Sequence, residues 1–133
     1  MKRMIFAVAG AVFASLAGPA ASQDTMVEYF TLLGPADAFN SRGVPLNDLC
    51  DIVQQDRANW HRFGNREQYD GGDWFFDTTD RRAQIAGRCE YDRGYYANAG
   101  QRIRSGERSF YVYVRVYGSN GQIRRVLISE GAG

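Results

Sequence analysis

The sequence predicts an α+β domain: a small antiparallel sheet, built from an N-terminal strand and a C-terminal hairpin, packed against two helices and held by one disulfide. Three observations carry this. A β-prone run occupies Met26–Leu33, apolar residues recur at three- and four-residue steps in the middle, and Arg108–Tyr117 alternates strongly. A Gly-Ser-Asn-Gly turn separates the two C-terminal runs. The chain has two cysteines, Cys50 and Cys89, far apart in sequence. Its 133 residues suit a single domain, and an aromatic fraction of 14% supplies packing material that a disordered chain lacks. A net charge of +1 argues against nucleic-acid binding by a bulk positive field.

Residues 1–22 read as a cleaved secretory signal peptide, leaving 23–133 as the domain. Lys2 and Arg3 precede an apolar run from Met4 to Ala17, Gly18-Pro19 breaks it, and Ala20-Ala21-Ser22 offers small residues for cleavage after Ser22 or Ala21. The run is shorter than the ~20 apolar residues of a membrane span. The expected destination is the periplasm or medium of a bacterium, with no transmembrane segment in the mature chain. Lys2 is the only lysine, so the remaining basic residues are all Arg. In an oxidising compartment Cys50 and Cys89 are expected to pair as a structural staple.

The elements follow in order. Met26–Leu33 is β-prone and ends at Gly34-Pro35. Residues 34–45 read as loop. Leu46, Leu49, Val53, Trp60 and Phe63 give helical spacing over about Leu46–Phe63, with Asn47 or Asp48 as cap and Gly64 as stop. Thr78 or Thr79 caps a shorter helix through Asp80–Ala86. Residues 90–107 read as irregular, with a helical turn near Gln101–Ile103. Arg108–Tyr117 and Gln122–Ser129 form the hairpin.

A turn centred on Asn120 pairs odd residues of the first hairpin strand with even residues of the second. Phe110, Val112, Val114 and Val116 then share the core face with Arg125, Leu127 and Ser129. Tyr111, Tyr113, Arg115 and Tyr117 share the other with Arg124, Val126, Ile128 and Glu130. Phenols and guanidiniums pair as cation–π contacts. Tyr111, Tyr113, Arg115, Tyr117 and Arg124 are therefore the candidate binding residues, a stacking platform for a glycan, peptide, nucleotide or protein.

The helical segment Asp56–Phe63 holds the second candidates. Asp56 falls between Val53 and Trp60 on the apolar face, where an unpaired carboxylate is costly, so it needs an Arg or backbone N–H partners. His61, the only histidine, gives an acid/base candidate with Asp56. Five residues place the two about 140° apart on a helix, which precludes a direct pair. The alternative is a buried network tying helix to loop.

Glu67, Asp70, Asp73, Asp77 and Asp80 lack the spacing of a calcium loop and read as solvated. No Gly-x-Ser-x-Gly, P-loop or His-Glu-x-x-His motif is present, so neither cofactor nor metal is expected. The expectation is an exported, non-enzymatic domain that binds a protein or an envelope polymer. Its alternatives are a small hydrolase using His61 with Asp56 or a loop acid, and a structural or stress-related envelope protein.

Overall fold

A computed structural model describes residues 10–12 and 24–131. The predicted signal peptide and its cleavage site lie almost wholly outside the described residues. The architecture is α+β: a four-stranded mixed sheet with three helices and a Cys50–Cys89 disulfide. Strand β1 (Asp24–Leu33) pairs antiparallel with β3 (Phe110–Ser119), and β3 with β4 (Gln122–Glu130). A two-residue strand, β2 (Cys89–Glu90), lies parallel to β4 at Val126 and Leu127. The sheet order is β1-β3-β4-β2, so the sheet is mixed where a purely antiparallel one was expected. The parallel strand follows from the staple: Cys89, joined to Cys50 of the helix layer, leads the chain past the open edge of β4.

Helix α1 spans Leu49–Ala58 and starts three residues later than the apolar spacing predicts. Asp48 caps it by accepting the Cys50 N–H at 2.8 Å. Leu46 stays outside, its N–H bonded to the Ala38 carbonyl and its own carbonyl taken by Arg104. The helix continues as a π turn, Asn59–Phe63, and stops at Gly64, which adopts the left-handed conformation with φ 63°. Thr78 caps α2 (Thr79–Ala83), and the expected helical turn near Gln101–Ile103 is α3 (Ala99–Arg104).

Turn chemistry sets the hairpin. Asn120 and Gly121 both have positive φ, the two-residue connection favoured between antiparallel strands. Ser119 faces Gln122 and Gly118 faces Ile123, but Tyr117 then faces Arg125. Arg124 is the extra residue of a β-bulge, and the bulge reverses the parity expected for β4. Ile123, Val126 and Ile128 therefore join Phe110, Val112, Val114 and Val116 in the core, while Arg125, Leu127 and Ser129 take the other face. Val27, Tyr29 and Leu33 of β1 complete the inner face. Against it pack Leu49, Ile52 and Val53 of α1 with Phe75, Phe76, Ile85 and Ile103. No described helix is long and apolar enough to cross a membrane.

Candidate functional site

With the inner face of the sheet buried under helices, the outer face is where the predicted binding residues meet. The β1–β3 register sets Phe30 directly opposite Tyr113, Leu32 opposite Tyr111, Glu28 opposite Arg115, and Thr25 opposite Tyr117. Phe30 stacks on Tyr113 with centroids 4.5 Å apart and on Tyr111 at 5.8 Å, with interplanar angles of 20° and 17°. Arg115 lies over the Tyr113 ring at 5.3 Å. Tyr111, Tyr113, Arg115 and Tyr117 are half-buried by one another, whereas Phe30 remains 41% exposed.

Arg124 differs from its expected place. It is exposed at the bulge, and Arg125 takes the position opposite Tyr117, with its guanidinium 5.0 Å from the ring centroid and bonded to Glu90. Phe30 and Leu32 of β1 also belong to this face, which the hairpin residues alone do not reveal. The alternation Val27, Tyr29, Thr31, Leu33 against Glu28, Phe30, Leu32 was the available signal, since β1 shares its faces with β3.

Ring orientation decides what this surface offers. Stacked in this way, Phe30, Tyr111 and Tyr113 cover part of one another's ring faces. The surface is a ridge of stacked aromatics beside the Arg115 and Arg125 guanidiniums. Arg115 makes no salt bridge with any described residue, and its buried Nε has no hydrogen-bond partner.

The Asp56–His61 segment forms a second, interior constellation. Arg57 is fully buried, and its Nε donates to Asp56 Oδ2 at 2.8 Å. Its Nη1 donates to Asp73 Oδ2 at 2.7 Å, and its Nη2 to the Gly71 carbonyl at 2.9 Å and Thr31 Oγ1 at 3.2 Å. The guanidinium lies 3.9 Å over the Tyr29 ring. Thr31 in turn donates to Asp56 Oδ1 at 2.8 Å. One cation thus joins α1, β1 and the loop that follows the π turn.

Asp56 finds the Arg partner expected of it. Burial nevertheless raises its pKa above the usual carboxylate range, against the lowering effect of Arg57 and the Thr31 hydroxyl. Asp70 and Asp73 depart from the solvated reading of the acidic loop. Asp70 accepts the Leu32 and Glu67 N–H groups, and Asp73 has no exposed side-chain area. Burial alone would raise Asp73; the Phe76 N–H, His61 and Arg57 outweigh it and hold the group below its ordinary value.

His61 pairs with Asp73, not Asp56: its Nε2 lies 2.9 Å from Asp73 Oδ2. The same carboxylate accepts the Phe75 and Phe76 N–H groups at Oδ1, so both of its oxygens are engaged. With a side chain 12% exposed, the imidazole reaches solvent at one edge. No hydroxyl or thiol of a described residue hydrogen-bonds to it. The pair has the carboxylate-oriented geometry of a general base, without a nucleophile beside it. Among the described residues, no group of three or more His, Cys, Asp or Glu side chains could hold a metal ion.

No protein-family model matches the chain, and no curated protein or solved structure matches it.

Proposed function

We propose that the chain is an exported binding module that docks a protein partner on the outer face of its sheet. The observation that carries the reading is Arg115, a half-buried cation in the middle of an aromatic ridge that makes no salt bridge with any described residue, although Glu28 stands opposite it in the register. A partner carboxylate placed there would gain a charge-assisted hydrogen bond without displacing an internal one. The surrounding residues include Tyr, Phe and Arg, types enriched at interface centres. A protein suits this ridge better than a glycan, because Phe30 and Tyr113, stacked on each other, leave less open ring face for a sugar. Export to a bacterial periplasm or medium rests on the tripartite pattern of residues 1–22, and the Cys50–Cys89 bond agrees with an oxidising compartment.

The test is photo-crosslinking and capture from an envelope extract, comparing the native chain with Tyr113→Ala, Arg115→Ala and Gln101→Ala. The first two should lose the partner, and Gln101→Ala, exposed on α3, should retain it with the same circular dichroism. Equal recovery by all three, with the fold intact, would overturn the reading. A second reading, a small hydrolase, is favoured by the His61–Asp73 pair alone. It requires His61→Gln to abolish hydrolysis of a model ester or peptide, while Arg115→Ala leaves it intact.

A further inference from the structure

A cleft of about 250 Å3 runs along the outward side of α1. One wall is a helical stripe in which Asp51, Gln55, Ala58 and Arg62 recur at four- and three-residue steps. Thr79 and Arg82 of α2 form the facing wall near its Arg62 end. Arg82 is only 5% exposed, yet no described carboxylate lies within salt-bridge distance of it. Its Nη1 donates to the Phe76 carbonyl at 3.0 Å and its Nη2 to Thr79 Oγ1 at 3.3 Å. Both acceptors are neutral. A buried guanidinium held by neutral acceptors alone is short of counter-charge. Arg62, on the π turn, adds a second cation that also makes no salt bridge with a described residue, and its head packs 5.0 Å from the Phe63 ring.

We propose that this end of the cleft binds a small oxyanion, a carboxylate or a phosphate, between Arg62 and Arg82. Burial, and then the Arg62 charge, hold the Arg82 guanidinium below its ordinary value; a bound anion would relieve both effects. Asp77 and Asp73 are the nearby carboxylates that favour the Arg82 charge, but Asp77 is spent on Arg81 at 3.1 Å and Asp73 on Arg57 at 2.7 Å. Asp51 also lines the cleft. It stands eleven residues before Arg62, roughly 16 Å along a helix axis at about 1.5 Å per residue. That exceeds the ~8 Å screening length at physiological salt, so Asp51 does not oppose an anion at the arginine end. The size of the cleft fits a ligand of modest length, whose uncharged part would lie along Gln55 and Ala58.

The experiment is a titration of the 15N-labelled full domain with sodium phosphate and, separately, sodium acetate, each against sodium chloride at matched ionic strength. Saturable shifts are expected at the Thr79, Arg82 and Arg62 amides. Tighter phosphate binding would assign a phosphate ligand, and equal or tighter acetate binding a carboxylate; each supports an oxyanion site. Arg62→Gln should weaken binding about fivefold to tenfold, the value of one charge-assisted hydrogen bond, while Asp51→Asn should leave it within about twofold. Arg62 is exposed, so its variant keeps the fold where Arg82→Met, which frees the Phe76 carbonyl, could lose it. No saturable shift with either anion at matched ionic strength, or binding unchanged in Arg62→Gln, would overturn the proposal.

Discussion

Arg57 Nη1 donates to Asp73 Oδ2 across 2.7 Å, and neither side chain keeps any contact with solvent. The two residues belong to different segments, α1 and the loop that leads to α2, so this ion pair ties the loop to the helix. Asp73 carries the constraint onward by accepting the Phe75 and Phe76 N–H groups, and both phenyl rings enter the core. The order of cause runs from one buried cation to the placement of two core aromatics.

Arg57→Met keeps the aliphatic stem and removes every donor. Asp56 would then be left with only the Thr31 hydroxyl, and Asp73 with only His61 and the Phe75 and Phe76 N–H groups. Breaking a buried pair from one side costs roughly 3–5 kcal/mol, mainly because the remaining charge is uncompensated. Urea unfolding of the variant should show a loss in that range and a lower midpoint. A loss below about 1 kcal/mol, the scale of an exposed ion pair, would mean that water reaches the network.

Asp37 gives the stability a pH dependence of the opposite sign to an ordinary ion-paired carboxylate. Burial, reinforced by the charge of Asp56, raises its pKa to about 8, against the lowering effect of hydrogen bonds from Asn59 and Gly34. A group whose pKa is raised on folding binds its proton more tightly in the native state. Its contribution is fully present below the unfolded value of about 4 and is lost as pH rises toward about 8. The native chain should therefore lose stability relative to Asp37→Asn, which is neutral throughout, between pH 5 and pH 8, by a few kcal/mol at most. Chemical denaturation at the two pH values measures it; a native chain that gains stability relative to the variant as pH rises would refute the assignment.

Much of this arrangement was legible in the sequence because periodicity reports faces. The Val and Tyr positions of β3 alternate as their burial requires, and Asp56 stands out as a carboxylate among apolar helical positions that needs an Arg or backbone N–H partners. The hidden parts share a physical cause: they depend on what meets what across the chain. One inserted residue, Arg124, reverses the parity of β4, and nothing in its type announces a bulge. The strand at Cys89–Glu90 is too short for a period to show. Asp70 and Asp73 looked like solvated loop acids because their partners, the Leu32 N–H and Arg57, come from elements distant in sequence. The stacking of Phe30 on Tyr113 likewise waited on the β1–β3 register.

Gly71 joins the same loop to the edge of the sheet. Its N–H donates to the Phe30 carbonyl at 2.7 Å, and its own carbonyl accepts Arg57 Nη2 at 2.9 Å. A Cβ at this position would lie 2.2 Å from the Phe30 carbonyl oxygen, a backbone atom that cannot swing aside. Gly71→Ala must then push the loop off β1, stretching both bonds at once. Overpacking of this kind costs about 1–3 kcal/mol, and hydrogen exchange at the Gly71 and Leu32 amides should quicken with it. Gly94→Ala is the matched control, since its added Cβ meets only the Asp92 side chain at 3.3 Å and no backbone atom, and it should stay within about 0.5 kcal/mol of the native chain. If the two variants unfold at the same urea concentration, the loop does not seat on β1 as closely as its hydrogen bonds indicate. If Gly71→Ala alone loses stability while exchange at Leu32 stays slow, the loss arises outside the loop–strand contact.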